Sequence, residues 1–114
     1  MEFDEARLAV LALPGAYEAD HHGRRSFRVG DGKVLVTVPE HGVLNVLVDD
    51  DLARSAAGAP GVDLLWWGQR LSGVRVEVAD VDPALLEELL EAVWRRRAPA
   101  RLRGDQGTER PPGR

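Results

Sequence analysis

The sequence has no cysteine, which excludes disulfides, thiol nucleophiles and cysteine-ligated zinc or iron–sulfur centres. Lysine is nearly absent: Lys33 is the single lysine among fifteen basic residues, a bias read as codon usage in a GC-rich genome. No apolar run approaches the ~20 residues that a membrane-spanning helix needs. The opening Met1-Glu2-Phe3-Asp4-Glu5 is acidic where a secretory signal would be basic. A cytoplasmic protein with no membrane partner is expected. Nineteen acidic residues against fifteen basic ones leave a net charge of −4, which argues against a generally basic nucleic-acid coat protein.

Motifs that carry chemistry are also missing. Ser26, Ser55 and Ser72 lie in no Gly-x-Ser-x-Gly elbow. Gly30-Asp31-Gly32-Lys33 lacks the length, the Lys-Ser/Thr ending and the following helix of a phosphate loop, so it reads as a hairpin turn. Asp20-His21-His22, with His41 elsewhere, lacks metal-ligand spacing and reads as a solvated loop. Asp49-Asp50-Asp51 lacks the alternation and glycine of a calcium loop and reads as a helix cap. No metal, no cofactor and no catalytic residues are expected, and the protein reads as non-enzymatic.

What is present is an ordinary single domain. The chain has 114 residues, 44% apolar and 30% charged, enough to build one core on folding. Phe3, Ala6, Ala9, Val10 and Leu13 share one helical face, which Pro14-Gly15 ends. Ser26–Val29, Lys33–Val38 and Val43–Val48 read as three strands joined by short turns, hence antiparallel neighbours. The Asp49–Asp51 run starts a short helix through about Ala57, and Leu64–Trp67 is an ambiguous apolar stretch. Val74-Arg75-Val76-Glu77-Val78 alternates cleanly as a strand. Asp82-Pro83 starts a last helix whose stripe is Leu85, Leu86, Leu89, Leu90, Val93 and Trp94, ended by Pro99.

The order α-β-β-β-α-β-β-α predicts an α+β fold of two layers, an antiparallel sheet with helices mainly on one face. Residues 1–102 form the expected domain. Residues 103–114, rich in Gly, Pro and charge, are expected to be a disordered basic tail.

The charge is uneven. From Arg95 onward seven arginines face Asp105 and Glu109, a surplus of five, which leaves −9 on the preceding 94 residues. Arg95, Arg96 and Arg97 either complement the dipole of the last helix or contact phosphate. A second basic set, Arg24, Arg25, Arg28 and Lys33, sits on the first predicted hairpin. In a strand, neighbours point to opposite faces, so one of Trp66 and Trp67 is expected buried and the other at least partly exposed. The exposed one, beside Arg70, can stack on a base or anchor a protein interface.

Leu11-Ala12-Leu13-Pro14-Gly15-Ala16-Tyr17-Glu18, then His22-Gly23-Arg24-Arg25-Ser26-Phe27-Arg28-Val29 and Gly30-Asp31-Gly32-Lys33, resemble the opening of the MmcQ/YjbR family. The acidic start of the middle helix and the Leu-Leu-rich last helix with its basic end and Ala98-Pro99 resemble that family too, so the likeness spans residues 3–102. Members carry Gly-Trp-Val at the start of the last strand, whereas this chain has Gly73-Val74-Arg75. The resemblance implies a two-layer fold like that of type III secretion chaperones, and it implies DNA binding.

Two functions are expected. The first is weak, salt-sensitive DNA contact through Arg24, Arg25, Arg28, Lys33, Arg70, Arg95, Arg96 and Arg97, with Trp66 or Trp67 touching bases or sugar. The alternative is a protein-interaction or small-ligand-binding module using the open sheet face, with a protein partner or a homodimer.

Overall fold

The computed structural model describes residues 1–21 and 23–103. Ten elements follow one another: α1 (Phe3–Leu11), β1 (Ala16–His21), β2 (Arg24–Val29), β3 (Lys33–Val38), β4 (Val43–Val46), α2 (Asp50–Ala56), β5 (Val62–Trp67), β6 (Arg70–Glu77), α3 (Pro83–Arg97) and α4 (Ala100–Arg103). The six strands form one antiparallel sheet in the order β1-β2-β3-β4-β6-β5. The fold is α+β, as the pattern predicts. Among the described residues no helix is long and apolar enough to cross a membrane.

The helices start where the sequence places caps. Asp49 accepts from the Leu52 N–H at 2.9 Å and Asp82 from the Ala84 N–H at 3.1 Å, each satisfying a donor that the first turn leaves free. Glu5 does the reverse for α1, accepting the Glu2 backbone N–H at 2.9 Å.

Strand alternation splits the sheet into two unlike faces. Phe27, Val36, Val46, Val74 and Leu64 are consecutive cross-strand partners. All but the half-buried Leu64 are fully enclosed under the helices, packed with Ala6, Val10, Leu86, Leu89 and Val93. The adjacent row reads Ala19, Ser26, Thr37, Asn45, Arg75 and Asp63, one residue from every strand. This polar row belongs to the face without helices.

Two features differ from the sequence expectation. Ala16–His21 is a strand, although its last residues read as a loop. It has no β-branched residue and no apolar alternation, and it exists as an edge through full pairing with β2, from Ala16 opposite Val29 to His21 opposite Arg24. The C-terminal end of the expected domain also continues into α4, where Leu102 packs on the core. The expected tail beyond Arg103 lies outside the described residues, as does His22.

β4 and β6 are not joined by a hairpin, and they approach unusually closely. Gly73 adopts φ +148°, and a Cβ there would overlap the Val46 carbonyl oxygen and lie 2.9 Å from Leu47 Cα. Only glycine fits this seam.

Candidate nucleic-acid interface

The β1–β2 turn, with Gly23 at φ +77°, places Arg24 and Arg25 at the start of β2. Gly30-Asp31-Gly32 forms the β2–β3 turn, and the Gly32 carbonyl accepts from Arg28 Nη1 at 3.0 Å. A register shift between Phe27 and Arg28 sets Arg28 opposite Val34. Arg24 and Arg28 are thereby held on the open face with Ser26, while Arg25 alternates to the side of Phe27, toward α1.

Their charges are not equally available. Arg25 Nε lies 2.9 Å from Glu18 Oε2, while Arg7 Nη2 lies 2.8 Å from Glu18 Oε1, so one carboxylate serves two guanidiniums. The Arg25 guanidinium also sits 5.8 Å from the centre of the Phe3 ring. Arg24 and Arg28 have no acidic partner among the described residues.

A groove of about 350 Å³ runs over this face, lined by Arg24, Arg25, Arg28, Thr37, Asn45 and Trp67 among others, a volume within the range of small-molecule sites. Asn45 is 8% exposed and donates from Nδ2 to Thr37 Oγ1 at 3.2 Å. Its Oδ1 is enclosed without a partner, an uncompensated polar atom of the kind native interiors rarely keep.

The two tryptophans depart from the expectation that one is buried. Trp66 is 48% exposed and Trp67 50%. They end the edge strand β5, just past a register shift after Leu65, opposite Leu71 and Arg70. Among the described residues β5 is the last strand on this side of the sheet. Trp67 lines the groove and Trp66 does not.

The terminal arginines are not one array. Arg95 turns to Glu91, at 2.9 Å, the one-turn pair that the sequence suggests. Arg96 Nη1 donates to the Leu47 carbonyl at 2.7 Å. Arg97 is half-buried, and burial together with the neighbouring Arg96 charge lowers its pKa. Arg70, Arg96 and Arg97 line a separate cleft at the end of the sheet. Lys33 is exposed at the start of β3 and lines neither depression.

The structure thus brings together Arg24, Arg25, Arg28 and Trp67 in the groove, and Arg70, Arg96 and Arg97 in the cleft. Arg70 stands opposite Trp67 in the β5–β6 ladder, so the two sets meet at that hairpin. Thr37, Asn45 and Glu18 join the site from outside the residues expected to form it. Asn45 had a signal, as a polar residue interrupting the apolar run Val43–Val48. Glu18 and Arg7 had none, because their pairing depends on how α1 lies against β1.

Comparison with protein-family models, with curated proteins and with solved structures finds no match.

Proposed function

We propose that this chain is a small non-enzymatic nucleic-acid-binding module of the MmcQ/YjbR kind, acting through the groove on its open sheet face. The observation that carries the reading is the grouping of Arg24 and Arg28, which pair with no carboxylate among the described residues, with the exposed Trp67 around one groove. Guanidiniums fit phosphate by paired hydrogen bonds, and an exposed indole stacks on any base. The overall charge of −4 opposes long-range attraction, so contact is weak, local and sensitive to salt. DNA is the proposed partner, without sequence preference.

Fluorescence anisotropy of a labelled duplex and of a single strand, each ~25 nucleotides long to span a small domain's footprint, tests this across a salt series. Saturable binding that falls steeply with salt supports the reading. No binding to either at low salt overturns it.

The enclosed, unpartnered Asn45 Oδ1 and the flanking Val34, Val38 and Pro39 favour a second reading, a small ligand in the same groove that donates an N–H or O–H to Asn45 and turns an anionic group to the arginines. That reading takes precedence if neither oligonucleotide binds.

A further inference from the structure

We infer that the cleft between the last turn of α3 and the start of β6 is a binding site for a tetrahedral oxyanion, a phosphate group first of all. Arg70, Arg96 and Arg97 line it, with Ser72 and one acid, Asp50. Its volume is about 80 Å³, two to three times the volume of a water molecule in the liquid, ~30 Å³. That is room for one small anion.

The three guanidiniums have no carboxylate within salt-bridge distance among the described residues. Asp50 shares the cleft without pairing to any of them, and three cations against one acid leave the cleft positive. Arg96 is oriented by its bond to the Leu47 carbonyl. Ser72 Oγ donates to the Arg70 carbonyl at 3.2 Å, bracing the backbone that carries Arg70. Arg97 Nε is enclosed with no acceptor, so the fold desolvates part of a guanidinium and leaves it uncompensated. Burial and Arg96 both lower the Arg97 pKa, the signature of a cation lacking its counter-charge. An oxyanion accepts from several guanidinium N–H groups at once and relieves the repulsion among them.

This site uses none of the groove residues and holds whether or not the groove binds nucleic acid. Free phosphate and a backbone phosphate present the same chemistry to it. The test follows the arginine Nε–Hε resonances of the ¹⁵N-labelled full chain. Inorganic phosphate is titrated at fixed ionic strength against chloride, and a 5′-phosphorylated dinucleotide is titrated separately.

Saturable displacement of the Arg97 and Arg70 signals by phosphate is expected. Arg70→Gln, at an exposed position, is expected to keep the fold and to weaken phosphate binding about tenfold, the loss of one charge-assisted contact. Saturation by the dinucleotide alone, removed by Arg70→Gln, also supports the site and assigns its anion to nucleic acid. Equal displacement by chloride, or affinities for both probes that Arg70→Gln and Arg97→Lys leave unchanged, overturns it.

Discussion

The indole N–H of Trp94 donates to the carbonyl oxygen of Pro14 across 2.8 Å, joining positions eighty residues apart. It ties the last helix to the loop that ends the first. Trp94→Phe removes the donor while keeping an aromatic ring in the core. A loss of about 1–2 kcal/mol is expected, from the bond and a small packing defect, read as a lower urea midpoint with unchanged slope.

Gly73→Ala sets a methyl group against the β4 backbone, which cannot rotate away as a side chain would. The change should destabilise by about 3 kcal/mol or more, combining overlap with an unfavourable φ. Calorimetry of the variant checks this, and a melting temperature within a degree or two of the parent would contradict the close seam.

Arg24→Glu with Arg28→Glu is the cleaner charge reversal in the groove, because Arg25 is already engaged by Glu18. The double variant should lose at least about tenfold in oligonucleotide affinity, and its salt slope should flatten by about 2, one unit for each phosphate contact removed. Circular dichroism should match the parent.

Trp66 and Trp67 separate stacking from general surface effects. Trp67→Ala should weaken single-strand binding by about 1–3 kcal/mol, the worth of one base stacked on an aromatic ring. Trp66→Ala should change it little, since Trp66 lies outside the groove. Equal effects from the two would place the contact elsewhere.

Truncation after Ala100 removes the expected basic tail together with the last two residues of the expected domain. Leu102 packs on the core and lies so near Gly15 that a Cβ there would come within 2.5 Å of its Cδ1. Deletion should cost about 1–2 kcal/mol, the burial of part of a leucine, measured by thermal unfolding.

Much of the fold is written in local pattern. Helix caps at Asp49 and Asp82, the stripe on α3 and the alternation of Val74, Val76 and Val78 each follow from spacing that the final structure keeps. β1 is not local: Ala16–His21 has little strand propensity and takes its conformation from β2. The site divides in the same way. The hairpin arginines were legible because turn glycines fix their strand. The dispersal of Arg95, Arg96 and Arg97 was not, since each direction is set by a partner from its own surroundings: Glu91, the Leu47 carbonyl, or none. The exposure of both tryptophans depends on a register shift and on the place of β5 at the edge of the described sheet, and a six-residue window carries neither.

The β4–β6 seam bears on how the molecule unfolds. β1 to β4 form a local meander, backed by α1 and α3, while β5 and β6 form a separate hairpin beneath α2. Four pairs, from Val43–Glu77 to Val46–Val74, and the bond from the Val78 N–H to the Gly42 carbonyl stitch these two halves into one sheet. While that stitch holds, the chain melts as a single cooperative unit. If it loosens, the C-terminal hairpin can open alone, and amide exchange would run faster in β5 and β6 than in β2 and β3. The hairpin carries Trp67 and Arg70, so loosening of that seam would disturb groove and cleft together.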